Sequence, residues 1–235
     1  MKQFHTAGHL SRGATFCARI ANMKNEFLAS LLGSHVRARL LRLFVFNKTE
    51  QFTAEEAMKR AQVNKKDFTK EIKLLEKSGI VKKKNWTKEE SRGRGKGKKI
   101  VKRKVSGWTV QESNQYIGSL TVFLRSIAPA AKDGVTGRLT GVGKMKLIAL
   151  AGALCDDDNS RVDLLVVGDK LDDRKLQAAL RAIEADIGAE VRYAAFTTEE
   201  FHYRLNVYDK LVRDVFEYPH EILLDRLDVV AKLGL

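Results

Sequence analysis

The spacing of apolar residues predicts three short helices in the first third of the chain. Over 34–46, apolar side chains recur every three or four residues behind Ser34, a residue type that caps helix N-termini. Thr53 and Glu56 stand three residues apart, as in a capping box, and predict a second helix over 54–61. The pattern therefore indicates a helical first domain.

A third helix is predicted over 64–77, with Asn64 as its cap and Gly79 in the left-handed conformation that closes many helices. Its apolar stripe consists of Phe68, Ile72 and Leu75. The opposite face is almost entirely basic, which fits either a solvated surface or a surface that binds a polyanion. Its outward positions are Lys65, Lys66, Thr69, Lys70, Lys73 and Lys77.

A basic stretch follows, flanked by residues that favour strands. Residues 80–81 and 100–108 are apolar or β-branched and predict two paired strands with a basic loop between them. Between 82 and 104 the chain carries twelve Lys or Arg and two Glu, a net charge of +10, against +14 for the whole chain. This density favours a polyanionic partner over a solvated linker. The central cations are Arg92, Arg94, Lys96, Lys98 and Lys99.

The pattern changes twice after the basic stretch. Residues 113–143 predict an amphipathic connecting helix followed by a glycine-rich segment that is either a hinge or a frayed helix. From 144 to 235, apolar runs alternate with helical periods, which predicts a small α/β domain. Strands are expected at 146–151, 162–168 and 190–196, and helices at 172–187 and from about 198 to 205, with 208–216 and 221–233 completing an α+β layer.

Composition narrows the classes of protein. The longest apolar run, 147–155, is too short to span a bilayer, and the N-terminus lacks the pattern of a secretory signal. Cys17 and Cys155 are too few for a disulfide framework and no metal-ligand spacing is present, so neither a metal nor a cofactor is expected. A cytoplasmic location follows as an expectation. Residues 1–27 predict a flexible tail, and Met23, directly before the first patterned segment, suggests a later start.

Three short helices followed by a basic two-stranded hairpin, over 28–112, resemble a winged helix-turn-helix. The resemblance implies that the third helix enters the major groove of double-stranded DNA, where lysines hold phosphates and Thr69 is best placed to touch a base edge. The segment from Arg92 to Arg94 resembles the core of an AT-hook and implies that the loop enters a minor groove. The implied DNA-binding residues are Lys65, Lys66, Thr69, Lys70, Lys73, Arg92, Arg94, Lys96, Lys98 and Lys99.

The last predicted domain resembles the minimal nucleotidyltransferase fold. The matching residues are Gly152 and Ala153, then the segment 160–169 that leads into an apolar strand. In that family a Gly-Ser turn holds a triphosphate, and aspartates hold Mg²⁺ for in-line transfer. Here Ala153 replaces the serine and Arg161 replaces the first aspartate, so Asp163 is left to pair with Arg161. The resemblance implies a vestigial, non-catalytic motif at Gly152, Ser160, Arg161 and Asp163.

The two halves together resemble prokaryotic winged-helix transcriptional regulators fused to a degenerate nucleotidyltransferase-like domain, whose C-terminal signature is similar to 196–205 and 209–214. The expected fold class is α+β. The resemblance implies sequence-specific binding of double-stranded DNA, with the second domain acting in sensing or dimerisation. A homodimer and a small-molecule or nucleotide effector are possible partners, and no membrane partner is expected. Two alternatives stay open: an active nucleotidyltransferase with a nucleic-acid-targeting winged helix, and an architectural or RNA-binding protein.

Overall fold

The computed structural model describes residues 27–92, 99–127, 132–155, 157 and 159–233. They form an α+β protein with two small sheets, which confirms the expected fold class at that level. The chain divides into two compact units. The first unit comprises Leu28–Ala128 and Glu184–Glu190, and the second lies within Pro129–Ile183 and Val191–Leu235.

The helices of the first unit begin where the sequence places their caps. They are α1 (His35–Phe46), α2 (Ala54–Ala61), α3 (Lys65–Lys77) and α4 (Ile117–Ser126), preceded by a helical segment at 27–32. The side chains of Ser34 and Asn64 each accept a hydrogen bond from the backbone N–H three residues later. Thr53 and Glu56 form the reciprocal capping box. Gly79 closes α3 with a φ of +70°. The three predicted helices and their caps are therefore confirmed.

One apolar core holds these helices together. Leu40 and Phe44 of α1, Phe68 and Ile72 of α3, and Leu124 of α4 are all buried in it. Burial of a large apolar side chain stabilises a fold by about 1.5–3 kcal/mol. The connecting helix predicted within 113–143 thus contributes, through Leu124, to the core of the first unit.

A charged pair is buried between α1 and α3. Glu71 is 4% exposed, and its carboxylate accepts a hydrogen bond of 2.7 Å from Nε of Arg37. A carboxylate out of water is stable only when it is paired, so this contact favours one rotation of α3 about its own axis. That rotation turns Glu71 inward and leaves the outward face to lysines.

The sheet of the first unit consists mainly of a long two-stranded ribbon. Its strands are β1 (Phe52–Thr53), β2 (Val81–Arg92) and β3 (Lys99–Val110), antiparallel in the order β1-β3-β2. We call the β2–β3 pair the ribbon. Its pairing runs without a register shift from Val81 opposite Val110 to Arg92 opposite Lys99. Val81 and Val110 are buried and anchor the ribbon in the first unit.

The ribbon is longer than the sequence pattern predicts. The pattern limits the first strand to 80–81 and makes most of the following residues a loop, but the strand continues to Arg92. Trp86 and Thr87 are residue types that favour strands, and the lysines around them can stay in water along the edge. The prediction of a basic loop is therefore wrong over most of its length, because many of its cations lie on paired strands.

Gly107 lets the ribbon pass close to two neighbours. A Cβ at this position would lie 2.1 Å from the carbonyl oxygen of Phe52 and 2.7 Å from Cη2 of Trp86. Such distances are well inside van der Waals contact, so a larger residue would push β1 or the indole away. Glycine in a strand interior commonly marks a close approach of this kind.

The second unit is built around a four-stranded sheet in the order β6-β5-β4-β7. Strand β4 pairs antiparallel with β5 and β7, whereas β5 and β6 are parallel and are connected by α6. The strands are β4 (Lys144–Leu150), β5 (Leu164–Asp169), β6 (Tyr193–Phe196) and β7 (Glu221–Asp225). The helices are α5 (Lys132–Leu139), α6 (Asp173–Ile187), α7 (Thr198–Asn206), α8 (Lys210–Glu217) and α9 (Val229–Leu233).

Two strands of the second unit begin later than predicted. The strand expected at 162–168 begins at Leu164, and the strand expected at 190–196 begins at Tyr193. Arg161 and Asp163 therefore precede β5 instead of sharing one of its faces.

None of the helices in the described ranges is long and apolar enough to cross a membrane.

Candidate functional site

The outward face of α3 is a row of exposed lysines. Phe68, Ile72 and Leu75 are buried on the inward face, and Glu71 is buried beside them. On the outward face, no lysine forms an ion pair with any side chain that the structure describes. The helix thus presents exposed cations that have no ion pair in the part of the chain that the structure describes. They are Lys65, Lys66, Lys70, Lys73 and Lys77.

Thr69 lies among these lysines and is exposed. Its hydroxyl group donates a hydrogen bond of 2.8 Å to the backbone carbonyl of Lys65, one turn earlier. A threonine hydroxyl has one proton and two acceptor lone pairs. The donor of Thr69 is therefore engaged by its own helix, while the oxygen lone pairs and the methyl group remain for an external partner.

One face of the ribbon lies on the same side as α3. The ring of Trp108 on β3 meets the ring of Phe68 edge to face, with centroids 5.6 Å apart. Lys83 is paired directly opposite Trp108, and Lys104 lies four residues before Trp108 on the same strand, so both project from this face. Lys102 also projects there but lies 3.4 Å from Glu89. Lys83 and Lys104 have no ion pair among the described side chains. We call this surface the α3-side face of the ribbon.

The other face of the ribbon is tied to α2. Nζ of Lys88 contacts the Glu56 carboxylate, which also accepts hydrogen bonds of 2.9 Å and 2.8 Å from the backbone N–H and hydroxyl of Thr53. Burial raises the pKa of Glu56, but the hydrogen bonds from Lys88 and Thr53 outweigh burial and hold that pKa below its ordinary value. The carboxylate of the capping box thus also anchors the ribbon.

The predicted DNA-binding residues fall into three groups. Lys65, Lys66, Thr69, Lys70 and Lys73 lie together on the exposed face of α3. Arg92 and Lys99 form the last backbone pair of the ribbon. The remaining candidates, Arg94, Lys96 and Lys98, lie outside the described residues.

Sequence reasoning missed two residues of this surface, Lys83 and Lys104. Both belong to the basic stretch, but a loop gives no basis for deciding which cations face the same way. The sequence signal that could have identified them is the alternation of side chains along a strand, which places every second residue from Trp108 on the same face.

The vestigial nucleotidyltransferase motif is occupied by contacts within the protein. Asp163 is 1% exposed. Its Oδ1 accepts hydrogen bonds from the backbone N–H of Ala153 at 2.9 Å and from Nη2 of Arg192 at 2.7 Å. Its Oδ2 accepts from the backbone N–H of Arg192 at 2.8 Å and from Nε of Arg192 at 3.0 Å. Four donors fill the acceptor capacity of one carboxylate.

Arg192 is the partner of Asp163, which corrects the predicted pairing with Arg161. Arg161 instead contacts Asp214, with Nε 3.2 Å from Oδ2. The reason is that Asp163 lies before β5, where its side chain meets the segment that leads into β6. Burial raises the pKa of Asp163, but hydrogen bonds from Arg192 and Ala153 outweigh burial and lower that pKa below its ordinary value.

The other residues of the motif support this arrangement. Gly152 has a φ of +52°, and a Cβ there would lie 2.3 Å from Oδ1 of Asp163. Ser160 is fully buried and its hydroxyl donates to the backbone carbonyl of Val162 at 2.8 Å. Both residues shape the turn around Asp163. Within the described ranges, no three His, Cys, Asp or Glu side chains are grouped as metal ligands.

Comparison of the chain with protein-family models, with curated proteins and with solved structures found no match.

Replacing Glu56 with Gln should lower the stability of the first unit in a pH-dependent way. Because the folded pKa of Glu56 is lowered, its carboxylate stabilises the fold at neutral pH, and this contribution disappears as the pH falls through the folded pKa. We expect the free energy of unfolding to drop by roughly 0.5–1 kcal/mol at pH 7, since the pair is partly exposed and screened by water. The difference should shrink below about pH 4.

Urea unfolding followed by tryptophan fluorescence measures this effect, because both tryptophans, Trp86 and Trp108, belong to the ribbon. Glu55→Gln is the matched control, since Glu55 lies in the same helical turn, is exposed and has no ion pair among the described side chains. A Glu56→Gln deficit that stays constant from pH 7 to pH 3 would contradict the assigned role.

Proposed function

We propose that this chain is a sequence-specific regulator of transcription that binds double-stranded DNA through its first unit. In this proposal the first unit is a winged helix-turn-helix, with α2 and α3 as the helix pair and the ribbon as the wing. The observation that carries the proposal is the row of exposed lysines on α3, beside the α3-side face of the ribbon, that have no ion pair with any described side chain. Cations without internal partners are what a phosphate backbone requires.

The shape of α3 supports insertion into a major groove. The helix has 13 residues and is capped at Asn64, and its inward face is fixed by the apolar core and by the Arg37–Glu71 pair. A major groove of B-DNA is about 12 Å wide and admits one α-helix. The lysines then lie toward the phosphates on both sides, and Thr69 faces the base edges.

The length of the ribbon suggests how far the interface extends. Lys83, which is paired opposite Trp108, and Arg92 are nine residues apart on a paired strand. This separation corresponds to about 30 Å at 3.3–3.4 Å per residue. One turn of B-DNA measures about 34 Å. We therefore propose that the ribbon lies along the duplex and reaches a groove about one turn away from α3.

We propose that the second unit has a nucleotidyltransferase-like fold without transferase activity. Two features support this: Arg161 stands where the first aspartate of the pair would be, and the acceptors of Asp163 are filled by four protein donors. Binding a metal through Asp163 would require breaking its contacts with Arg192. Sensing or dimerisation is the role that we propose for this unit, in the cytoplasm where its DNA target would be reached.

Removing single lysines from α3 should weaken binding to every duplex. Lys66→Ala, Lys70→Ala and Lys73→Ala should each make the slope of log Kobs against log salt less negative, by about 0.9 for each phosphate that the variant no longer neutralises. Thr69→Val should instead change the preferred sequence while leaving that slope unchanged. Mobility-shift titrations over a salt series, on duplexes selected from a random pool with the full chain, measure both quantities.

Lys175→Ala is the control for these variants, because it removes an exposed lysine from the second unit. Binding by the native chain that does not depend on salt would contradict the proposal. Equal or tighter binding to structured RNA in direct competition would favour the RNA-binding alternative.

A shorter ribbon should protect fewer base pairs at one end of the DNA footprint and leave the other end unchanged. Deletion of residues 89–92 and 99–102 removes four complete strand pairs from the tip. Lys83 and Lys104 keep their facing because the register of 81–88 with 103–110 is unchanged. Four residues span about 13 Å, so a hydroxyl-radical footprint should lose about four base pairs at one end, at 3.4 Å per base pair.

The charge control for this deletion is Arg92→Ala combined with Lys99→Ala in a ribbon of full length, which should weaken binding without moving the end of the footprint. An unchanged footprint in the shortened protein, with DNA binding retained, would refute the placement of the ribbon along the duplex and leave the DNA-binding proposal intact.

The transferase alternative has a direct assay. Incubation of the full chain with labelled ATP, Mg²⁺ and nucleic-acid or protein acceptors should give no transfer, because Asp163 is engaged by Arg192 and Ala153. Transfer that depends on Mg²⁺ and is abolished in Asp163→Asn, with the variant folded by circular dichroism, would overturn the assignment.

A further inference from the structure

The second unit carries a groove of about 380 Å³. It is formed by the end of α5 and the turn after it, by β4, and by Leu224 of β7 with Arg226 after that strand. Its volume falls in the range of small-molecule sites in proteins, about 300–1,000 Å³. The groove lies at the Lys144 end of β4, whereas Gly152 and the Asp163 motif follow the other end of that strand, so the two sites are distinct.

Three cations line this groove: Lys144, Lys146 and Arg226. The backbone N–H of Arg226 donates to the carbonyl of Lys146 at 2.8 Å, so two of these cations are held side by side. None of the three forms an ion pair with a described side chain, and no carboxylate is among the described residues that line the groove. Like charges on neighbouring strand positions repel each other. An anion in the groove would relieve this repulsion.

The nearest carboxylates offset this positive charge only in part. Asp169 is paired with Lys144 in the β4–β5 register, and its Oδ1 accepts from the backbone N–H of Thr198 at 3.4 Å. Asp225 accepts hydrogen bonds from the backbone N–H groups of Leu227 and Val230 at the start of α9. Hydrogen bonds from Thr198 and the charges of Lys146 and Lys144 hold the pKa of Asp169 below its ordinary value, so this carboxylate offsets part of the lysine charge. Two carboxylates lie near three cations, which leaves a net positive charge around the groove.

The floor of the groove is apolar. Leu139 and Ile148 are fully buried beneath it, and Leu224 is partly exposed beside them. Thr136 and Thr140, on α5 and the turn that follows, also line the groove, and the hydroxyl of Thr140 donates to the backbone carbonyl of Thr136 at 3.1 Å. An apolar floor with a cationic rim is complementary to a molecule that has an anionic group at one end and an apolar body at the other.

We propose that this groove binds a phosphorylated small molecule, with its phosphate held by Lys146 and Arg226 and its apolar body over Leu139 and Ile148. Lys144 is exposed and also lines the groove, so its charge attracts the anion. This site is independent of the DNA-binding surface, and it gives the second unit a ligand of defined chemistry.

Calorimetric titration of the full chain with ADP tests the proposal, with pyrophosphate as a second phosphate probe and adenosine as the control that lacks phosphate. At about 0.15 M salt, where exposed charges are screened beyond about 8 Å, ADP should bind saturably at one site per chain and adenosine should not bind. Lys146→Ala and Arg226→Ala should each weaken ADP binding at least tenfold, whereas Lys210→Ala, an exposed lysine of the same unit outside the groove, should leave it unchanged.

Arg226→Lys keeps the charge and should retain most of the affinity. If thermal unfolding shows that Arg226→Ala is not folded, Lys144→Ala provides the test, because Lys144 is exposed. Failure of both phosphate probes to bind would overturn the proposal. Binding that survives unchanged in Lys146→Ala and Arg226→Ala would also overturn it, because the anion would then be held elsewhere. Neither result bears on whether the first unit binds DNA.

Discussion

The packing of Phe68 against Trp108 is the constraint on which the candidate surface of the first unit depends. Phe68 belongs to the buried face of α3, and Trp108 belongs to the ribbon. Because side chains alternate along a strand, fixing the direction of Trp108 fixes the direction of every second residue on β3 and of their partners on β2. One aromatic pair in edge-to-face geometry therefore decides which ribbon cations lie beside α3 and which lie near α2.

Two ion pairs that lie away from the candidate surface also stabilise this arrangement of α3 and the ribbon. Glu71 is paired with Arg37 under α3, and Glu56 is paired with Lys88 on the far face of the ribbon. Glu71 and Glu56 are thus used to fix positions, whereas Glu76, which accepts a hydrogen bond of 3.5 Å from Nε1 of Trp108, is an exposed carboxylate beside the lysines of α3. In the second unit, likewise, Asp163 is paired with Arg192, whereas the cations around the groove have no ion pair among the described side chains.

The helices could be predicted because their caps are local in the sequence. Features that depend on contacts between distant residues could not. Caps such as Ser34, Thr53 and Asn64 act within three residues, so they are visible in the sequence and the structure confirms them. The length of the ribbon depends on pairing between residues far apart in the chain, and the sequence pattern alone suggested a loop. The partner of Asp163 is 29 residues away, whereas Arg161 was the obvious neighbour, so proximity in the sequence gave the wrong pair.

The hydrogen bond from Thr69 to the carbonyl of Lys65 has a consequence for which bases this position could distinguish. With its proton committed to the helix, Thr69 can only accept a hydrogen bond or make an apolar contact. In a major groove, adenine and cytosine present amino groups and thymine presents a methyl group, whereas guanine presents only acceptors. In the proposed DNA complex, a guanine opposite Thr69 would bring acceptor lone pairs against acceptor lone pairs, so Thr69 would discriminate by exclusion.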